Sequence, residues 1–176
     1  YCVARLYFDG KDVALDIKKA IHYFTLAADK NDSESQFYLG LIYSSGEYVA
    51  RDIQKAIHYY TLAADNNNHP LAQYNLGVVY LNDEFMIYDI NKVIHYFTLS
   101  AENNYMLAQH TLGYIYFEGK HVALNINKAI HYFSLAADQN NPKSQFYLGL
   151  IYSTGMYIER NMEKGIHYYT LAADKN

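Results

Sequence analysis

A nine-residue motif that recurs five times constrains the fold of this chain more than any other feature. IHYFTLAAD begins at Ile21, and close variants begin at Ile57, Ile94, Ile130 and Ile166. The motif therefore returns every 36 residues, with a single interval of 37. A fixed period in this range is typical of solenoids, in which each unit buries its apolar faces only against its neighbours. The sequence predicts such an array.

Each unit is predicted to contain two amphipathic helices. In residues 33–45, which we name helix A, Leu39, Ile42 and Tyr43 share one face at helical spacing, and a glycine follows at Gly46. In residues 52–65, which we name helix B, a second apolar stripe is formed by Ile53, Ala56, Ile57, Tyr60 and Ala64. The extra residue of the 37-residue interval falls between Asp65 and Gln73, where we expect a loop insertion that leaves both helices intact.

The spacing of these residues resembles the Sel1-like repeat, a relative of the tetratricopeptide repeat. The matching pattern is S-x-x-x-L-G-x-x-Y-x-x-G over 35–46, followed by V-x-x-D-x-x-K-A-x-x-Y-Y-x-x-A-A over 49–64. The resemblance implies an all-α fold, an α-solenoid in which paired antiparallel helices form a right-handed superhelix. It covers about five units, the first truncated, at approximately 1–30, 31–66, 67–103, 104–139 and 140–176. We expect a single array that is a fragment of a longer chain.

The chain departs from the family pattern at three kinds of position. A second glycine after helix A is replaced by other residues, namely Asp12, Tyr48, Phe85, His121 and Tyr157. The glycine after helix B is replaced by Asn31, Asn67, Asn104, Asn140 and Asn176, and since Asn tolerates the left-handed conformation we expect these turns to survive. Asp83 replaces the first glycine in one unit, which leaves the end of that helix A undetermined.

Composition excludes several classes of function. The chain has 14 basic and 18 acidic residues and a net charge of −4, with its Lys and Arg dispersed, so a nucleic-acid partner is not expected. The fragment contains no apolar run of the roughly 20 residues that a membrane span needs. Its single cysteine, Cys2, allows no internal disulfide and favours a reducing compartment. We expect a cytoplasmic protein, with the endoplasmic reticulum or secretion as the alternative if a signal has been trimmed.

The recurring polar residues of helix B do not predict catalysis. The position held by Asp16, Asp52 and Asp89 is Asn125 and Asn161 in the other units, and Asn can cap a helix but cannot carry a proton. The lysine three residues further on is interpreted as a solvated side chain. Cys2 has no base near it in sequence, and we predict that it is a helix A residue. We therefore expect no enzyme and no cofactor.

The recurring histidines suggest a metal site at first sight. Helical angles place His58 on the outer face of helix B, among Lys55, Leu62 and Asp65. Neighbouring units stack roughly 10 Å apart, whereas ligands of one zinc ion lie about 2 Å from it, so successive histidines cannot share a metal. Outer-face packing is the favoured interpretation. An acid-triggered change of partner stays open, since protonating all eight histidines would move the net charge from −4 to +4.

The residues that vary between units lie on helix A, on the side away from Leu39. In related solenoids this side lines a concave groove, and aromatic residues are common anchors of such surfaces. Packing between units is the equally weighted alternative. The candidate groove residues are Phe37, Leu41, Ser44, Tyr74, Val78, Leu81, His110, Tyr114, Phe117, Phe146, Leu150 and Ser153, with Tyr1, Arg5 and Phe8 from the truncated unit and Tyr38 and Tyr147 flanking them.

These observations favour a non-enzymatic scaffold or adaptor that binds a protein or peptide through the concave groove. The family resemblance implies adaptor roles in protein quality control or in host interaction. One alternative is a self-assembling structural array with end-to-end self-association. A less favoured one is a hydrolase-type enzyme related to Cys-rich Sel1-like proteins, which carry paired cysteines in each unit, whereas this chain has one cysteine in total.

Overall fold

The computed structural model of the chain describes residues 1–82 and 88–174. Over these residues it contains α-helices and no strand. The helices are α1 (Cys2–Asp9), α2 (Ile17–Ala28), α3 (Ser33–Ser45), α4 (Ile53–Asn67), α5 (Pro70–Leu81), α6 (Ile90–Glu102), α7 (Met106–Glu118), α8 (Ile126–Asp138), α9 (Pro142–Thr154) and α10 (Met162–Ala173). Odd-numbered helices correspond to helix A and even-numbered helices to helix B. Cys2 lies on α1, a helix A, as predicted.

The chain divides into two compact units, 1–99 and 100–176, and each is described by itself. In the first, α1 packs on α2 and α3 on α4, while α2 also contacts α3 and α4 contacts α5. In the second, α7 packs on α8 and α9 on α10, while α8 contacts α9. α3 and α9 thus each pack both on their own helix B and on the helix B that precedes them.

Local sequence signals determine where the helices begin and end. The side chains of Asp16, Asp52, Asn125 and Asn161 each accept a hydrogen bond from the backbone N–H three residues ahead, at 2.9–3.0 Å. Asp and Asn thus perform the same capping role, as predicted. In α1, α3, α7 and α9, helix A ends at a glycine with φ between 65° and 70°, a conformation that other residues rarely adopt, whereas α5 ends at Asn82. These glycines are Gly10, Gly46, Gly119 and Gly155.

The turns after helix B are closed by left-handed asparagines. Asn31, Asn104 and Asn140 have φ between 61° and 67°, as predicted. The prediction for Asn67 is wrong, because α4 continues through Asn67 and Asn68 adopts the left-handed conformation with φ 54°. The inserted residue therefore lengthens helix B as well as changing the loop. Asp83, Phe85 and Asn176 lie outside the described residues.

Apolar clusters between helices form the core. One cluster joins Ala20, Phe24 and Ala28 of α2 to Leu39 and Ile42 of α3. Buried glutamines stabilise the same junctions from the polar side, since the Nε2 of Gln36, Gln109 and Gln145 donates to the carbonyl of the alanine near the end of the preceding helix B at 3.2 Å. The junction between α2 and α3 therefore combines an apolar cluster with a buried hydrogen bond from Gln36.

Candidate functional site

An open pocket in the second compact unit, 100–176, contains three of the candidate groove residues. It has a volume of about 770 Å³ and lies where α7, α9 and the end of α10 meet. His110, Tyr114 and Phe146 line it, and the side chains of Tyr114 and Phe146 are 38% and 49% exposed. The remaining lining residues are Pro142, Lys143, Tyr147, Tyr169, Ala172 and Ala173. Large aromatic surfaces thus remain accessible on this side of helix A.

The rings of this pocket are held in place by aromatic contacts. Tyr147 stacks on the buried ring of Phe133, with centroids 5.0 Å apart and planes 3° apart. Tyr114 meets Tyr147 edge-on at 5.7 Å. Phe117 packs against Tyr147 at 5.4 Å and is half-buried, so it supports the cluster from beneath. Such a packed floor leaves little side-chain freedom to lose when a partner binds.

Two charged side chains lie at or near the pocket: Lys143 lines it, and Glu118 contacts the lining residue Tyr114. His110 Nδ1 lies 2.8 Å from Ser144 Oγ. Burial lowers the pKa of His110, and Lys143 lowers it further by repulsion. The hydroxyl of Tyr114 donates to Glu118 Oε1 at 3.4 Å, and the neighbouring carboxylate raises the pKa of Tyr114. The pocket therefore combines an aromatic floor with a cationic edge at Lys143.

In the compact unit 1–99, Phe37 holds the position in the repeat that Phe146 holds in the other unit, and its side chain is covered. Phe37 is 8% exposed because the ring of His69, which caps α5, stacks on it at 4.8 Å. Its position supports packing between units at this site rather than an open groove. A smaller pocket of about 270 Å³ is lined by three other candidates, Leu41, Ser44 and Val78. Val78 is exposed, whereas Ser44 is hydrogen-bonded to the hydroxyl of Tyr60 at 3.0 Å.

The remaining candidates are half-buried. Tyr74 lies 5.4 Å from Phe97, which is fully buried, so it supports the core as well as the surface. Leu81, Leu150 and Ser153 are also half-buried, and Ser153 lies 3.3 Å from the hydroxyl of Tyr169. The structure brings His110, Tyr114 and Phe146 together in one pocket and Leu41, Ser44 and Val78 in another. Lys143 and Tyr169 are pocket residues that sequence reasoning missed.

The recurring histidines lie on the outer face of helix B, as predicted. All five are exposed, and each ring meets the following tyrosine edge-on at 5.0–5.3 Å. These residues are His22, His58, His95, His131 and His167. Among the described residues, no group of three or more His, Cys, Asp or Glu side chains is placed to hold a metal ion.

The recurring lysines are exposed, as predicted, and each also makes a contact that the sequence did not indicate. Each Lys Nζ lies over the ring of a helix A tyrosine at 4.5–5.1 Å, and that ring stacks on a helix B tyrosine. In the third repeat, for example, the stack consists of Lys92, Tyr80 and Tyr96. These contacts join the two helices of each unit and leave the lysines with a structural role.

Comparison with known proteins decides the family. The Sel1 repeat profile matches residues 2–32, 33–68, 70–105, 107–141 and 142–176. The chain belongs to the Sel1 repeat family. No curated protein matches the sequence.

Solved Sel1 repeat structures share the fold. A protective antigen of uropathogenic Escherichia coli with an SLR fold is 33% identical, with a TM-score of 0.91 over 98% of this chain. The chain spans 37% of that antigen's length. A Sel1 repeat protein of Oxalobacter formigenes is 29% identical with a TM-score of 0.84, and the match covers 99% of this chain and 71% of that one. The predicted all-α solenoid class is confirmed.

A third structure supports the fold alone. A putative Sel1 repeat protein of Klebsiella pneumoniae is 21% identical, with a TM-score of 0.59 over 100% of this chain and 85% of that chain.

Sel1 repeats generally serve as scaffolds for protein interaction. No helix in the described part of the chain is both long and apolar enough to span a membrane.

Proposed function

We propose that this Sel1 repeat array is an adaptor that binds a segment of a partner protein through the exposed side of helix A. The observation that carries the proposal is the pocket formed by α7, α9 and α10, in which Tyr114 and Phe146 are exposed on a packed aromatic floor. Exposed aromatic rings in a concave site are the usual anchors of protein interfaces. The partner is expected to insert a bulky apolar side chain there.

The cationic edge restricts the ligand further. Lys143 lines the pocket together with Phe146, and the exposed Glu118 accepts a hydrogen bond from Tyr114. A ligand that places an acidic group near Lys143 gains a favourable contact, whereas a basic group is favoured near Glu118. We expect selected peptides to combine a large apolar residue with a flanking acidic residue.

A random-peptide phage library tests the proposal. Peptides selected on the parent chain would be synthesised, and their affinity for the parent would be compared with that for Tyr114→Ala/Phe146→Ala by fluorescence anisotropy. Loss of the two anchors is expected to weaken binding about tenfold or more. The matched control is Leu26→Ala, which removes a side chain that is 48% exposed on α2 and is not among the residues that line the pocket. Peptides that bind all three proteins equally would overturn the proposal.

We also propose that the array acts without catalysis. The recurring carboxylate of helix B is bound to backbone N–H groups as a helix cap, and Cys2 is exposed on α1. A nitrocefin assay addresses the alternative raised by the Cys-rich relatives. We expect no turnover above the uncatalysed rate, and hydrolysis that is lost in Cys2→Ser would contradict this part of the proposal.

A further inference from the structure

Two junctions of the array are filled by clusters of three aromatic rings. In the compact unit 1–99, Tyr38 of α3 stacks on Phe24 of α2 at 5.3 Å with planes 5° apart. Phe8 of α1 meets Tyr38 edge-on at 5.6 Å. The unit 100–176 repeats this arrangement with Phe117, Phe133 and Tyr147. In both clusters, two rings from successive A helices pack on one ring from the helix B between them.

The junction of α3, α4 and α5 lacks two of these rings. Ser44 holds the repeat position of Phe8, and Asn75 holds that of Tyr38. Both residues line the pocket of about 270 Å³, which we name the Asn75 pocket. It is a cavity in the interior of the array, and it lies where the chain elsewhere places its own aromatic side chains.

The walls of the Asn75 pocket are aliphatic. Leu41, Ile53, Val78 and Val79 line it, and Val78 is 42% exposed. Its volume is below the roughly 300–1,000 Å³ typical of small-molecule sites, so it suits a single side chain. Among the described residues that line it there is no charged side chain. Moving a neutral ring from water into contact with such walls is favourable.

A chain of hydrogen bonds orients the polar groups of the pocket. Ser44 Oγ donates to the carbonyl of Leu41 at 3.1 Å, so the Tyr60 hydroxyl, 3.0 Å away, donates to Ser44 Oγ. Asn75 Nδ2 donates in turn to the Tyr60 hydroxyl at 3.1 Å. Tyr60 is 1% exposed, and burial raises the pKa of its hydroxyl, which therefore stays protonated as a donor. The order of these bonds determines which end of the Asn75 amide faces Tyr60.

The amide oxygen of Asn75 is the acceptor that the pocket offers. Within residues 1–82 and 88–174, the side chain of Asn75 makes the hydrogen bond from Nδ2 to Tyr60, which leaves Oδ1 for a ligand. Asn75 is half-buried, so a hydrogen bond formed there is partly shielded from water. A neutral ligand with a hydroxyl donor therefore matches the pocket better than one with a carboxylate or an ammonium group.

We propose that the Asn75 pocket binds the phenol ring of a tyrosine on a partner polypeptide, with the phenol hydroxyl donating to Asn75 Oδ1. A ring is the expected occupant because the chain fills the equivalent places with rings of its own. The hydroxyl is expected because the pocket offers an acceptor. The inference deepens the adaptor proposal and rests on it for the choice of a polypeptide, but the pocket shares no residue with that of Tyr114 and Phe146.

NMR with labelled leucine and valine methyl groups provides the test on the full chain. The probe is N-acetyl-tyrosinamide, and saturable shifts are expected at the methyl groups of Leu41, Val78 and Val79. The matched probe, N-acetyl-phenylalaninamide, lacks the hydroxyl and is expected to bind about fivefold more weakly, the effect of one hydrogen bond. Because the methyl groups report on this pocket alone, the result stands whether or not peptides bind at Tyr114 and Phe146.

Two variants fill the pocket with rings that the chain already uses. Asn75→Tyr supplies the ring of Tyr38, and Ser44→Phe supplies that of Phe8. Each is expected to weaken binding of the tyrosine probe about tenfold or more, since the space is taken. Two filling variants are made, so that one serves if circular dichroism shows that the other is unfolded. The control is Leu71→Ala, which changes an exposed side chain of α5 that does not line the pocket.

Asn75→Leu tests the hydrogen bond separately from the space. Leucine has a volume similar to that of asparagine but no acceptor, so this variant is expected to bind the two probes with equal affinity. A preference for the tyrosine probe that is unchanged in Asn75→Leu would contradict the assigned bond. A role of Asn75 in stability alone would not alter the ratio of the two affinities.

Further results would overturn the inference. Unshifted methyl groups of Leu41 and Val78 in the parent exclude the site, and shifts that persist in both filling variants place the ring elsewhere. Phe85 lies outside the described residues but holds the repeat position of Tyr48, whose ring meets Phe8 edge-on at 5.3 Å. Phe85→Ala is therefore included. Unchanged binding there is expected, whereas tighter binding would assign the pocket to a ring of the chain itself and not to a partner.

Discussion

Gly113 of α7 lies directly against the ring of Phe133 of α8. A Cβ atom at residue 113 would stand 2.6 Å from Cδ1 of Phe133, closer than real contacts allow. Gly40 and Tyr60, Gly77 and Phe97, and Gly149 and Tyr169 show the same relationship. Glycine at this point of helix A thus lets the aromatic ring of helix B approach the backbone, which explains why a helix-weakening residue recurs there.

Gly113→Ala is expected to destabilise the chain even though alanine is the better helix former. The gain in helix propensity is about 1 kcal/mol, whereas overpacking a buried site costs typically about 1–3 kcal/mol. Urea denaturation followed by circular dichroism should show a lower midpoint. Adding Phe133→Leu provides space for the new methyl group. The double variant should therefore lose less free energy of unfolding than the two single variants lose in sum. A midpoint for Gly113→Ala at or above that of the parent would contradict the packing described.

Asn125→Ala should remove the N-terminal cap of α8. The side chain accepts a hydrogen bond from the N–H of Lys128 at 3.0 Å, and losing such a cap costs about 1 kcal/mol. Asn125→Asp is the matched control, because Asp16 and Asp52 make the same bond in equivalent helices. Chemical denaturation should show a lower stability for Asn125→Ala and little change in stability for Asn125→Asp. Equal losses in both variants would mean that capping is not the role of this residue.

Asp52→Asn should reduce the loss of stability in acid. The N–H of Lys55 bonds the carboxylate and lowers the pKa of Asp52 in the folded chain, and the Lys55 side chain contributes in the same direction. A lowered pKa stabilises the folded state above the unfolded-state value, which is about 3.9, and this stabilisation is lost as pH falls through the folded-state pKa. Denaturation midpoints below pH 4 should fall less steeply in Asp52→Asn than in the parent. Identical slopes would contradict the prediction.

His110→Phe should reduce the pH dependence of stability near neutrality. Burial and Lys143 lower the pKa of His110 in the folded chain, so the unfolded chain binds the proton more readily. The free energy of unfolding therefore falls as pH drops from above to below the ordinary histidine value of about 6.5. Phe is chosen because Phe37 and Phe146 hold the equivalent position. Thermal unfolding between pH 7.5 and 5, a range of about 2.5 units around that value, should be flatter in the variant.

Lys143→Gln separates the two causes of the lowered pKa of His110, which are burial and the charge of Lys143. Removing the nearby positive charge leaves burial in place, so the slope of stability against pH should lie between those of the parent and His110→Phe. A slope in His110→Phe equal to that of the parent would show that another group accounts for the acid sensitivity.

The helices and their ends could be predicted from the sequence because their signals are local. Helix A was expected over 33–45, and α3 occupies that range, since an Asp cap and a following glycine determine both ends within a few residues. The extra residue before α5 was expected to lie in a loop. It lengthens α4 as well as changing the loop, and Asn68 rather than Asn67 adopts the left-handed conformation that ends the helix.

The exposure of the candidate groove could not be predicted because the covering side chains come from other helices. Phe37 and Phe146 occupy the same position of the repeat, yet one is 8% exposed and the other 49%. Phe37 is covered by the imidazole of His69, which begins helix A of the following repeat, whereas the sequence ends before the corresponding position after Phe146. The tyrosine contacts of the recurring lysines were also not predicted, since the rings beneath them belong to helix A and not to their own helix.

The location of a bound peptide tests the adaptor proposal most directly. A phage-selected peptide carrying benzophenone beside its apolar residue would be cross-linked to the chain, and the adducts would be mapped by mass spectrometry. The pocket predicts adducts on α7 and α9, at or next to Tyr114 and Phe146, which are lost when excess unlabelled peptide is present. Specific adducts confined to the outer face of helix B, around His58 or His131, would contradict the proposal.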